Sequence, residues 1–316
     1  MKEVKRIVSL LPSATEMIYA LNLQDRLVAV THECDFPEEA RSKPVAVRSA
    51  LDLSSLSPAE IDRAVSDSLR SGRDLYRIDY DLLRSLSPDL IIGQALCDVC
   101  AVPSSKMSEI ISSLDFRPEL LDMSPTTIGG ILRNIMDLGR VTGKEGSARA
   151  LTLKLQARIA AIQRITRNYS SRKRVFFMEW VDPVYCGGHW VPQMIEIAGG
   201  VDGLSFKGRP SVRMRWEDVL SYNPEVLIVA SCGRHVPEIL REANILARLP
   251  ELSSLDAVRN SEVYAVDASS YFARPGPRIV QGIELLAHIL RPDLFQCHES
   301  SAYSKMQLNA LLVEGR

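Results

Sequence analysis

The sequence predicts an α/β protein of two Rossmann-like lobes with parallel sheets, joined by one long backbone helix. Three observations predict it. Short apolar runs of strand length alternate with capped helical stretches, one helix-to-strand phrase occurs twice, and an uninterrupted helical pattern separates the two occurrences. The expected boundaries are residues 1–140 for the N-terminal lobe, 141–170 for the connecting helix, 171–296 for the C-terminal lobe and 297–316 for a mobile tail.

The first lobe opens with Arg6-Ile-Val-Ser-Leu-Leu-Pro-Ser13, a short buried strand running into a helix that starts at Ser13, with Glu16 completing a capping box. Leu27 to Val30 is a second strand, followed by the polar loop His32 to Pro37. Ser57-Pro-Ala-Glu60 opens another helix: Ser caps, Pro suits the first helical position, Glu60 closes the box, and the helix ends near Ser71-Gly72. A short helix from Leu82 stops before Pro88, and Leu90 to Ile92 is a strand that empties into the loop Gly93 to Pro103.

The repeated phrase is Leu83-Arg-Ser-Leu-Ser-Pro-Asp-Leu-Ile-Ile92, matched by Val219-Leu-Ser-Tyr-Asn-Pro-Glu-Val-Leu-Ile228. Lys5-Arg-Ile7 and Lys173-Arg-Val175 echo each other in the same order, each beginning a strand. Between the copies, Thr142 to Asn168 holds no proline, and Leu151, Leu155, Ile159, Ile162 and Ile165 recur at helical spacing. At 1.5 Å per residue this helix would span roughly 40 Å. An ordinary packed helix within one domain is the alternative.

Charge and hydropathy exclude several functions. The 38 basic residues nearly balance 39 acidic ones, so the basic footprint of a nucleic-acid binder is missing. No segment approaches the roughly 20 apolar residues of a membrane-spanning helix, which argues against membrane insertion. The N-terminal apolar run is broken by Pro12 and Glu16, too short for a secretory signal, so a cytoplasmic location is expected. There is no GxSxG elbow, HExxH, P-loop or strand-borne GxGxxG.

The ordered set Ser9-Leu-Leu-Pro-Ser-Ala-Thr-Glu16, Asp25 to Pro37, Ser87-Pro-Asp-Leu-Ile-Ile92, Arg174-Val-Phe-Phe, Glu196-Ile-Ala-Gly-Gly200, Trp216-Glu-Asp-Val-Leu220 and Tyr271 to Arg278 resembles the cobalamin-binding, class III substrate-binding proteins of ABC importers. Within that family the chain is similar to a leaderless subgroup bearing Cys97-Asp-Val-Cys-Ala101, Glu179-Trp-Val-Asp182, Gly188-His-Trp190 and Arg274-Pro-Gly-Pro-Arg278. The resemblance implies a corrinoid lying flat in a cleft between the lobes, with no catalysis. It carries the family's cleft positions onto the loops around Asp35 and Phe36, around Leu96 and Cys97, and onto Tyr271 and Phe272. It also implies docking to importer membrane subunits through a glutamate on each lobe, yet the first-lobe stretch Cys100 to Ser105 holds no acid.

In open α/β sheets, ligands bind beyond the carboxyl ends of the strands. That rule gathers Ser13, His32, Glu33, Asp35, Phe36, Leu96, Cys97, Trp180, Asp182, His189, Trp190, Tyr271, Phe272 and Arg274 as candidate ligand contacts. The aromatic side chains supply flat apolar walls or, alternatively, core packing; Arg274 offers a fork for polar groups or, alternatively, an internal salt bridge. Cys97, Cys100, Cys34 and His32 are candidate donors for zinc or another soft metal, with burial as small hydrophobes as the alternative. The same cluster, Cys97, Cys100 and His32, is the basis of a competing reading as a metal- or thiol-dependent enzyme.

Overall fold

The computed structural model describes residues 3–53, 55–94, 109–169, 171–296 and 299–308. By internal contacts the chain divides into two compact units, Met1–Pro125 with Gly129–Lys154, and Thr126–Ile128 with Leu155–Arg316.

The first unit is built on a six-stranded sheet of order β4-β3-β2-β1-β5-β6. Its strands are β1 (Ile7–Ser9), β2 (Leu27–Thr31), β3 (Val45–Ser49), β4 (Tyr76–Ile78), β5 (Leu90–Gly93) and β6 (Glu119–Asp122). The central strands β1 and β5 are buried along their whole length, as their uninterrupted apolar runs require. Helices α1 (Pro12–Ala20), α2 (Pro58–Arg70) and α3 (Tyr80–Leu86) lie between successive strands. The capping box of α2 forms as read: the Glu60 amide donates to Ser57 Oγ at 3.4 Å, and Glu60 Oε2 accepts from the Ser57 amide at 2.8 Å. The box expected at Ser13 does not form. Leu11 is the N-cap, because Pro12 has its φ already set for the first helical position, and Ser13 is buried inside the first turn.

The second unit carries a five-stranded sheet of order β11-β10-β9-β7-β8. It comprises β7 (Val175–Val181), β8 (Val184–Cys186), β9 (Val226–Val229), β10 (Val263–Val266) and β11 (Tyr303–Lys305). Helices α6 (Val191–Ile197), α7 (Trp216–Tyr222), α8 (Val236–Leu246), α9 (Asp256–Arg259), α10 (Ala268–Tyr271) and α11 (Ile279–Leu290) accompany them.

Both sheets have the expected parallel strands at their centres and are mixed at their edges. Their cores are parallel, but β4 runs antiparallel to β3, β8 to β7 and β11 to β10. The reason is clearest at β8. Only Asp182 and Pro183 separate it from β7, and a two-residue connection can return the chain only to an antiparallel neighbour.

The connecting helix is also shorter than its pattern. The structure has α4 (Ile128–Thr142), then α5 (Glu145–Thr166), and the chain passes from the first unit to the second within α5. Gly143, at φ 71°, takes the left-handed conformation that stops α4, so α5 rises about 33 Å rather than 40 Å. The described part of the expected tail, residues 299–308, belongs to the second unit. Tyr303–Lys305 closes one edge of the second sheet, Met306 and Leu308 are buried, and His288 Nε2 meets the Tyr303 hydroxyl at 2.9 Å. A three-residue polar strand leaves no periodic trace in a sequence.

The repeated phrase folds the same way twice. Helix α3 ends at Ser87 (φ 42°) and α7 at Asn223 (φ 47°), both left-handed, and each turn leads into the central strand β5 or β9. The Arg6 carbonyl accepts from the amides of Asp89 and Leu90 at 2.9 and 3.2 Å; the Arg174 carbonyl accepts from Glu225 and Val226 at 2.8 and 3.1 Å. The acid of each copy returns the bond, Asp89 Oδ2 to the amides of Lys5 and Arg6, and Glu225 Oε2 to the amide of Arg174.

The two left-handed caps differ in what else they hold. Asn223 exchanges two side-chain hydrogen bonds with Asp256, at 2.9 Å each, whereas Ser87 Oγ only reaches back to the Arg84 carbonyl. Ser87→Gly should therefore stabilise the protein by about 0.5–1 kcal/mol by removing left-handed strain. Asn223→Gly should destabilise it by about 1–2 kcal/mol through the lost bonds. Urea denaturation of the two variants reads the opposite signs.

Candidate functional site

In the first unit the strand order turns at β1, with β2 and β3 on one side and β5 and β6 on the other. Loops leaving the carboxyl ends of β1, β2 and β5 therefore converge at a topological switch point. A buried polar network shapes this edge. Thr15 Oγ1 donates to Ser9 Oγ at 2.9 Å and lies 3.1 Å from Cys34 Sγ, Ser9 Oγ donates to the Leu11 carbonyl, and Thr31 Oγ1 lies 3.3 Å from the same sulfur. Cys34 is thus a buried thiol tied to two hydroxyls.

The polar loop after β2 stands on that network. His32 Nδ1 is 3.3 Å from the Val47 carbonyl and Nε2 is 3.3 Å from Glu33 Oε1. Asp35 lies 3.7 Å from Arg41, and Phe36 is 44% exposed. Leu96, Cys97 and Cys100 lie outside the described residues. Among the described residues no three His, Cys, Asp or Glu side chains gather as metal ligands. Cys34 is buried against α1, while His32 sits on the exposed side of the loop.

In the second unit the parallel strands β7, β9 and β10 direct their following loops to one edge. Trp180 is half-buried, with Nε1–H donating to the Asp182 carbonyl at 3.1 Å, and Asp182 itself is exposed. His189, at φ 53°, stacks on Trp190 with ring centroids 5.7 Å apart, and burial pulls its imidazole below the ordinary range.

Trp190, Tyr271 and Phe272 form part of this unit's core. The Trp190 Nε1–H donates to the Phe272 carbonyl at 2.9 Å, and Phe272 packs on Phe177 with centroids 5.2 Å apart. The Tyr271 hydroxyl donates to Glu299, the Arg278 guanidinium lies 5.9 Å from its ring centroid, and burial raises the phenol's pKa. Arg274 is buried, its carbonyl turning the chain through a 2.8 Å bond from the Gly276 amide.

The sequence reading reached Tyr271, Phe272 and Arg274 after β10 but missed a pair that joins the loops following β9 and β10. His235 Nδ1 lies 3.1 and 3.0 Å from the two carboxylate oxygens of Asp267. The available signal was that His235 and Asp267 follow β9 and β10, two apolar runs of equal length that become neighbours in the sheet. Below them Ser231 donates to Glu242, a carboxyl that burial pushes above its ordinary range.

Two α/β units, each gathering loops at the carboxyl edge of a parallel-cored sheet, define a solute-binding architecture. Residues 7–269 match the periplasmic binding protein family, and the chain belongs to it. It is 24% identical over 291 residues to the vitamin B12-binding protein of Vibrio cholerae, covering 91% of this chain and 89% of that protein. It is 25% identical over 308 residues to the uncharacterized ABC transporter substrate-binding lipoprotein YvrC of Bacillus subtilis, with 93% and 82% covered. The periplasmic vitamin B12 binding protein BtuF of Vibrio cholerae superposes with a TM-score of 0.66 at 22% identity, covering 93% of this chain and 99% of that one. The periplasmic heme-binding protein RhuT of Roseiflexus sp. RS-1 superposes at 0.68 and 22% identity, with 92% and 98% covered.

Members of this family bind solutes and are not catalytic, which removes the thiol-enzyme reading. The cytoplasmic expectation is corrected too, because the relatives are periplasmic proteins or a lipoprotein. Its physical basis was the run Ile7 to Leu11, which is β1 and its exit; a buried strand carries no information about compartment.

Trp190→Phe should cost about 1–3 kcal/mol in chemical denaturation, because it leaves the buried Phe272 carbonyl without its donor. Asp202, whose Oδ1 accepts from the amides of Leu204 and Ser205, has its carboxyl raised by burial. A raised carboxyl contributes stability below its unfolded pKa and loses it as pH rises through the folded one. The Tm of Asp202→Asn relative to wild type should therefore increase between pH 4 and pH 8, and an unchanged difference would show a carboxyl that titrates as though exposed.

Proposed function

We propose that this protein is the substrate-binding component of an ABC-type importer and that its substrate is a corrinoid of the cobalamin kind. The observation that carries the reading is the end-to-end match to a vitamin B12-binding protein, which spans both units and nine-tenths of each chain. The contacts would come from the loop ends of the two sheets: His32, Glu33, Asp35 and Phe36 in the first unit, with Leu96 and Cys97 following β5, and Asp182, His189 and Arg274 in the second. Ser13, Trp180, Trp190, Tyr271 and Phe272 would act by shaping those loops from beneath or beside them. The partner would be the importer's membrane subunits.

Heme is the second reading, favoured by the heme-binding RhuT among the structural neighbours. Electrostatics argue for the corrinoid. The first-unit loop carries the exposed carboxyl of Glu33 and the partly buried carboxyl of Asp35, with Arg41 beside Asp35. That arrangement suits the neutral amide rim of a corrin better than the carboxylate rim of a heme, since like charges in a partly desolvated site are costly.

Titration of the purified protein with cyanocobalamin and, separately, with hemin tests the reading. Cyanocobalamin should bind at one per chain and at least tenfold tighter than hemin; the reverse order would transfer the protein to the heme readers. Phe36→Ala should weaken cobalamin binding about tenfold, equivalent to ~1.4 kcal/mol, while leaving Tm unchanged, because the ring is largely outside the core.

A further inference from the structure

The loops that follow β9 and β10 are held rigidly to each other. After β9 the chain makes a tight turn in which the Arg234 amide donates to the Ser231 carbonyl at 3.0 Å and Gly233 supplies φ 74° at the third position. The Cys232 amide donates to the Glu179 carbonyl at 3.0 Å, and the Ser269 amide to the Arg234 carbonyl at 3.1 Å. The His235 amide donates to Glu238 Oε2 at 2.9 Å, fixing the backbone at the start of α8. His235 therefore stands on a frame with little freedom.

Its ring is oriented as firmly. Asp267, largely buried, accepts from the Ser270 amide at 2.8 Å and the Ser270 hydroxyl at 2.9 Å, and both its oxygens face His235 Nδ1. A carboxylate can only accept, so Nδ1 carries the hydrogen and the lone pair of the neutral ring is left on Nε2. Nε2 has no protein partner among the described residues, and the side chain is 46% exposed. An imidazole whose Nδ1–H is held by a carboxylate, with Nε2 open, is the arrangement by which proteins orient metal-ligating histidines and raise their basicity. Among the described residues no group of three His, Cys, Asp or Glu side chains forms around it as a protein-only site. The geometry suits a metal whose other positions are already filled, as in a macrocycle.

We propose that His235 Nε2 is an axial ligand to the metal of the macrocyclic substrate, oriented by Asp267. This rests on the corrinoid reading above. With a cobalt(III) corrinoid bearing water at an exchangeable axial position, the step is a ligand substitution. The cobalt–oxygen bond breaks, water leaves intact, and the Nε2 lone pair forms the cobalt–nitrogen bond with no change of oxidation state. On the face that carries tightly bound cyanide a corrinoid offers His235 no readily exchanged ligand, so a site engaging that face would prefer the aquo form.

Absorption spectroscopy of the full chain with aquocobalamin and with cyanocobalamin tests this, with free aquocobalamin in excess imidazole as the spectral reference. Wild type should convert bound aquocobalamin to the imidazole-ligated spectrum and leave that of cyanocobalamin unchanged. His235→Ala should lose the conversion and bind aquocobalamin at least tenfold more weakly, with cyanocobalamin affinity and circular dichroism unchanged. Asp267→Asn keeps an oxygen for the Ser270 amide and should shift the conversion to higher protein concentration, so the orienting role can be read even if one variant folds poorly. Bound aquocobalamin with an unconverted spectrum, or conversion that persists in His235→Ala, overturns the proposal and leaves the corrinoid reading standing. A wild type that binds neither cobalamin form overturns both.

Discussion

Everything that positions the loops of this protein depends on how two central strands are put in register. In each unit the carbonyl of an arginine just before the first strand, Arg6 or Arg174, accepts from the first two amides of the helix-to-strand return, Asp89 and Leu90 or Glu225 and Val226. The side-chain carboxylate of that return accepts from the same arginine's own amide. These reciprocal bonds set the register of β1 against β5 and of β7 against β9. Because side chains alternate faces along a strand, a one-residue slip would turn the buried runs Leu90–Gly93 and Val226–Val229 toward the helices in the wrong phase. It would also move the following loops off the sheet edge.

From that register the chemistry follows by geometry. Parallel strands deliver their exits to one edge, and edge loops are where polar and titratable groups can be exposed without breaking a core. In the first unit this puts His32, Glu33, Asp35 and Phe36 above a sealed layer of Ser9, Thr15, Thr31 and Cys34 hydrogen bonds. In the second it brings His235 onto Asp267 across neighbouring strands and leaves the large aromatics Trp190, Tyr271 and Phe272 beneath as packing. The division of labour is between rigid apolar support and a thin layer of polar side chains, an arrangement suited to binding a preformed ligand.

Particular residues mark where the sequence was sufficient. The Ser57–Glu60 box, the halt before Pro88, the strand at Leu90 and the twofold phrase were legible because each depends on neighbours within a few positions. The break at Gly143 was missed because the expected helix was begun at Thr142 on the absence of proline, whereas the periodic residues Leu151 to Ile165 all lie within α5. Tyr303–Lys305 was missed because its partner, β10, lies some 40 residues away and a short edge strand needs no apolar pattern.

The sequence by itself determined the class of fold, the twofold build and the loops on which polar chemistry sits, since capping, turn residues and apolar periodicity are local properties. Only the tertiary structure decided which of the flagged side chains face solvent and which fill the core. Trp190, Tyr271 and Cys34 carry the same residue types whether they line a ligand or pack a lobe, and the difference is the presence of Phe272, Glu299 or Thr15 from distant parts of the chain. The pairing of His235 with Asp267 is of the same kind. It exists because two strands that are 33 residues apart in sequence lie side by side in the sheet, a fact of strand order that no local pattern encodes.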